Sequence, residues 1–155
     1  MNKAVMVIGY GDDLRGDDGI GRQVADAIAN WHLLSVKCLA INQLTPELAT
    51  ILASTELVIF VTTCLISESS QVQVQSLLPC FFSFVHARIN DPRSLLALTQ
   101  TIYGHSPTAW LVTIPGVNFA VRENLSAVAK TGIAIALVKI IQILDKNDNL
   151  WVDFG

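Results

Sequence analysis

The feature that most constrains the fold is a boundary near the N-terminus. The apolar run KAVMVIGY, residues 3–10, passes directly into GYGDDLRGDDGIG, residues 9–21, which holds five glycines and four aspartates in thirteen positions. A continuous apolar run ending in glycine reads as a strand buried on both faces of a parallel sheet. Ile20, Val24, Ala27, Ile28 and Trp31 then recur at helical spacing, so a helix is expected over about 19–31 with its N-terminus at the aspartates. Strand, turn and helix make the first half of a crossover unit, which requires further parallel strands.

The remaining chain supplies them. VKCLAI (36–41) and LVIFVTT (57–63) read as strands, with a helix between them in QLTPELATILA, where Pro46 suits a first turn after Thr45 as cap. In SSQVQVQSLL (69–78) apolar residues alternate with glutamines, the pattern of a half-exposed edge strand, expected to be antiparallel or marginal. FFSFV (81–85) fits a strand or a packed loop equally well. Asp91 and Pro92 open a helix that Gly104 stops, AWLVTIPG (109–116) is a strand, and a last helix runs from about Asn124 to Leu144. The expected fold is a single α/β domain over 1–155, a three-layer α/β/α sandwich. Its twisted, mostly parallel sheet has about five strands, with helices on both faces.

In such sheets ligands bind outside the carboxyl ends of the strands. That rule gathers Asp12 to Asp18, Thr62, Thr63, Cys64 and His86 on one rim. A phosphate site in the first turn is disfavoured: after Gly9 and Gly11, the place of a third fingerprint glycine is taken by Leu14, and four aspartates would repel a polyanion. Carboxylates on a glycine-rich turn (Gly9, Gly11, Gly16, Gly19) instead suit a cation or a proton-transfer site, or they cap the helix. Asp17 and Asp18 are adjacent and so point about 100° apart on a helix, which gives them separate jobs. The positive end of the helix favours negative charge there, as a metal ligand would need. His86 lies in a rim loop, whereas His32 and His105 read as surface residues.

Composition excludes several classes. With 10 Lys and Arg against 13 Asp and Glu, scattered along 155 residues, no basic footprint for nucleic acid exists. TGIAIALVKIIQIL is shorter than a membrane span and is interrupted by Lys139, so no membrane association is expected and the protein reads as cytoplasmic. Cys38, Cys64 and Cys80 form no paired spacing, so reduced thiols are expected. Neither a nucleophile-elbow serine nor an HExxH metal motif is present.

The chain resembles the hydrogenase maturation proteases, nickel-dependent endopeptidases that trim the C-terminus of [NiFe] hydrogenase large subunits. VIGYGDDLRGDDGIGRQVADAI is similar to the N-terminal signature of that family, with Asp12 where Asn is commoner. QLTPELATILASTELVIFV, HARINDPRSLLALTQTIYG and LVTIPGVNFAVRENLS follow in the family's order. The resemblance implies that Asp18 and His86 are catalytic and ligate nickel, with Asp17 as cap or support. The nickel is carried by the precursor and is not a resident cofactor, and the partner is a [NiFe] hydrogenase large-subunit precursor met by a monomeric protein. One position departs. Where the family reads close to VIFVDA this chain reads VIFVTT, so Thr62 stands at the place of a metal-binding aspartate, and a neutral hydroxyl is a weaker ligand. The alternatives are therefore an active endopeptidase and a catalytically impaired relative that binds the precursor or an assembly factor. Cys64, on the Thr62 face of the strand, is a weaker substitute ligand.

Overall fold

A computed structural model describes residues 4–81, 91–121 and 124–147. The elements run β1 (Val5–Tyr10), one 3-10 turn (Gly16–Gly19), α1 (Ile20–Ala29), β2 (Val36–Ile41), α2 (Leu48–Ala53), β3 (Leu57–Leu65), β4 (Gln73–Leu77), α3 (Pro92–Tyr103), β5 (Thr108–Gly116) and α4 (Ala127–Lys146). They form one five-stranded sheet of order β2-β1-β3-β5-β4. The first four of these are mutually parallel, and β4 pairs antiparallel with β5 at the edge. This is the expected α/β/α sandwich, with β4 as its half-exposed edge strand.

Strand alternation sends successive residues to opposite faces and so builds two cores. Val5, Val7, Leu57, Ile59 and Val61 meet Ile20, Val24 and Ile28 of α1 and Ala129, Ala136, Ile140 and Leu144 of α4. Met6, Ile8, Val58 and Phe60 meet Leu48, Ala49 and Leu52 of α2 and Leu95 and Leu96 of α3. Burial of each large aliphatic or aromatic side chain contributes roughly 1.5–3 kcal/mol, and this is the main force holding helices to sheet.

The start of α1 is seated hard on the sheet, and two glycines permit it. A Cβ on Gly9 would lie 1.9 Å from the carbonyl oxygen of Gly21, and one on Gly21 would lie 2.4 Å from that of Val61. Both obstacles are backbone, so neither can swing away. The glycine spacing thus fixes how closely the aspartate turn approaches the ends of β1 and β3.

Several boundaries differ from the sequence reading. The helix after Pro46 starts at Leu48, and Glu47 stands at its N-cap position without a side-chain cap bond. Thr45 and Pro46 form a preceding turn, their carbonyls accepting from the Leu48 and Ala49 amides. Strand β3 runs two residues past Thr63 because its pairing with β5 continues to Leu65 and Gly116. The last helix starts at Ala127, after Ser126 as N-cap, and extends to Lys146. At 20 residues and a mean hydropathy of 1.8 it has the length and composition of a membrane span, contrary to the shorter run read from sequence. Its inner face covers the sheet through Ala129, Gly132, Ala136, Ile140, Ile143 and Leu144. Residues 82–85 of FFSFV lie outside the described residues.

Candidate functional site at the carboxyl rim of the sheet

The four aspartates of the first turn have four different environments. Asp12 pairs with Arg15 at 3.4 Å and closes a local turn by accepting from the Leu14 amide at 3.0 Å. Asp13 pairs with Arg22 at 3.6 Å, and Arg22 is held in turn by Asn42 at 2.7 Å. These are surface ion pairs worth at most about 1 kcal/mol each, but they neutralise two of the four charges.

Asp17 is fully buried. Its Oδ2 accepts from the amides of Val117 at 2.8 Å and Asn118 at 2.9 Å and from the Ser126 hydroxyl at 2.6 Å, while Oδ1 accepts from the Ser126 amide at 2.8 Å. Its own amide donates to the Asn118 carbonyl. Burial alone would raise this carboxyl; the hydrogen bonds, led by those from Ser126, outweigh it and hold Asp17 below its ordinary range. The sequence reading made Asp17 a cap or a support, and its place is specific. It caps neither the 3-10 turn nor α1, neither of which has a side-chain cap bond. It instead anchors the β5–α4 connection, through the serine that caps α4 by accepting from the Ala129 amide at 3.1 Å.

Asp18 has no ion pair among the described residues. Its Oδ2 accepts from the Asp12 amide at 2.9 Å and its Oδ1 from the Thr63 hydroxyl at 3.3 Å. A carboxylate offers about four lone-pair sites, and hydrogen bonds among the described residues use two of them. Gly11 makes this arrangement possible: its φ is +147°, and a Cβ there would lie 2.0 Å from the Asp18 carbonyl oxygen. Gly16, with φ +51°, and Gly19, whose Cβ would meet Asp13, complete the turn.

The pleat of β3 divides the two threonines. Thr63 shares parity with Val61 and faces α1, α4 and Asp18. Thr62 shares parity with Phe60 and faces α2 and α3, and its hydroxyl donates to the Tyr10 carbonyl at 3.2 Å. The Tyr10 phenol is pushed up by burial and by nearby Asp91, with Thr62 acting against them. The structure therefore brings Asp18 to Thr63, and the hydroxyl of Thr62 is engaged elsewhere. Cys64 lies on the Thr62 face, half-buried, its thiol pushed up by burial and then by Glu68, conditions that work against a thiolate. His86 lies outside the described residues. Among the described residues no three His, Cys, Asp or Glu side chains come together as a metal site. His105 bonds the carbonyls of Ala53 and Tyr103, a structural role.

Sequence reasoning missed Ser126 and the Val117 and Asn118 amides. No local signal links them to Asp17 across 100 to 109 residues.

Solved structures share this fold. A hydrogenase maturating endopeptidase HybD from E. coli superposes with a TM-score of 0.74 at 17% identity, covering 92% of each chain. The [NiFe] hydrogenase maturation protease HycI from Thermococcus kodakarensis gives 0.69 at 17% identity over 93% of this chain and 94% of that one. The hydrogenase 2 maturation peptidase of a Thaumarchaeota archaeon gives 0.69 at 21%, over 92% and 98%. No family model matches the chain, and no curated protein matches it in sequence. The likeness inferred from sequence is thus borne out in the fold.

Proposed function

We propose that this protein is an endopeptidase that removes the C-terminal extension of a nickel-loaded [NiFe] hydrogenase large-subunit precursor, with the nickel as the recognition element. The observation that carries the reading is Asp18, the rim aspartate that has no ion pair among the described residues, on a fold shared with maturation peptidases. Its carboxylate suits a cation presented by the substrate. An imidazole from His86 would complete a mixed oxygen and nitrogen set appropriate to nickel. The aspartate holds the metal-bearing end of the precursor at the rim, so that the bond to be cut is presented to water in a fixed place. Thr63 orients the carboxylate by donating to Oδ1.

A second reading is favoured by the strand end, where neither Thr62 nor Thr63 supplies a carboxylate to hold the cation or accept a proton from water. On that reading the protein binds the precursor, or an assembly factor, without cleaving it. The intact mass of a nickel-loaded precursor from the same source, before and after incubation with the protein and a variant carrying both Thr62→Asp, at the family's aspartate position, and Thr63→Asp, beside Asp18, separates the two. Loss of a C-terminal peptide with the unmodified protein supports the endopeptidase. Cleavage by the variant alone, with a stable unmodified complex, supports the binder. No binding by either refutes both.

A further inference from the structure

A groove of about 600 Å³ lies between one flank of α4 and the segment 70–72 that leads into β4. Its head lies at Pro115 and Ala127, each one residue from the Gly116 and Ser126 contacts of Asp17. Val72 forms one wall, and Val128 and Ile135, 36% and 44% exposed, line the other. Its foot is Lys139, the single charged side chain in the lining, which has no ion pair among the described residues. From Ala127 to Lys139 a helix rises roughly 18 Å, the span of about five or six extended residues.

We infer that this groove receives the C-terminal segment of the precursor as an extended apolar strand, with its free carboxylate at Lys139. The inference rests on the precursor reading and adds a binding surface to it. Three observations choose the occupant: the head adjoins the Gly116 and Ser126 contacts of Asp17 at the carboxyl rim, the walls are mainly apolar with Ser70, Gln71 and Thr131 as polar interruptions, and the one charge at the foot is positive and complementary to a chain terminus. Val138, on the same helix and 56% exposed, lies outside the lining and provides an internal control.

The test uses the full-length protein and a fluorescent peptide of the last six precursor residues, as free acid and as C-terminal amide, read by anisotropy. The free acid is expected to bind about tenfold more tightly than the amide. Lys139→Glu and Ile135→Glu should each weaken the free acid about tenfold, and Val138→Glu should leave it unchanged. In precursor processing Lys139→Glu should raise KM and spare kcat. Equal peptide binding by the unmodified protein and the two groove variants overturns the groove, even where precursor cleavage proceeds. Absent cleavage with the expected peptide pattern overturns the endopeptidase reading and leaves the groove standing. Partition of the protein onto anionic lipid vesicles, abolished by Ile135→Glu and accompanied by no peptide binding, overturns the groove in favour of a membrane-facing helix.

Discussion

Replacing Asp17 with alanine should unfasten the rim. The substitution leaves four donors facing a hole: the amides of Val117, Asn118 and Ser126 and the Ser126 hydroxyl. Each buried donor left unpaired costs about 1–3 kcal/mol, which brackets the loss at about 4–12 kcal/mol. The contact lies at the carboxyl rim of the sheet, just past the end of β5, where water that fills the vacated space can re-pair some donors, and the variant is spared the desolvation of a buried charge. We therefore expect the low end, about 4 kcal/mol, or a fall in Tm of about 8–16 °C for a chain of this size. Asp17→Asn keeps one oxygen but turns an NH2 group toward a donor, so about 2 kcal/mol is expected. A cycle with Ser126→Ala should show coupling of about 1–2 kcal/mol, since both residues serve one network. The pH dependence has a definite sign. The Asp17 carboxyl sits below its ordinary 3.8 when folded, so its contribution is complete above that range and is lost as pH falls through the folded value. Asp17→Asn should flatten that acid limb. Thermal and urea unfolding from pH 2 to 7 measures all of this, and a Tm loss under about 2 °C for Asp17→Ala would refute the reasoning.

Two further substitutions probe the packing around the rim. Gly9→Ala would drive a methyl to 1.9 Å from the Gly21 carbonyl oxygen and should cost at least about 3 kcal/mol, read as a lower urea midpoint; retained stability would contradict the close seating of α1. The Ser94 hydroxyl is fully buried and has no hydrogen-bond partner among the described residues. Ser94→Ala should therefore be neutral or stabilising by up to about 1 kcal/mol in the same assay, and a clear loss of stability would reveal an acceptor for that hydroxyl.

Much of the fold was legible because it depends on short-range pattern. The period-two alternation of QVQVQ marked the edge strand, and Asp91, Pro92 and Gly104 marked both ends of α3 through a side-chain cap, a fixed φ and a left-handed stop at φ +82°. Less legible were ends set by neighbours, as where β3 lengthened because β5 offered two more partners. The candidate site divides in the same way. That a glycine-rich turn at a strand end holds carboxylates could be read from residues 9–21. Which carboxylate does what could not.

The sequence by itself determined the class of fold, the glycine-rich turn that carries the aspartates at the end of the first strand, and the glycines that let a helix start against two strands. Hydrophobic period, turn chemistry and the absence of a Cβ act over a few residues and are written locally. Only the tertiary structure assigned the aspartates. Two are neutralised by arginines, Asp17 is fastened to a serine 109 residues away, and Asp18 is set beside Thr63. The physical reason is that hydrogen-bond partners and strand parity belong to the packed sheet. A one-residue difference along β3 moves a hydroxyl to the opposite face, and nothing in the neighbouring letters shows which face Asp18 will meet.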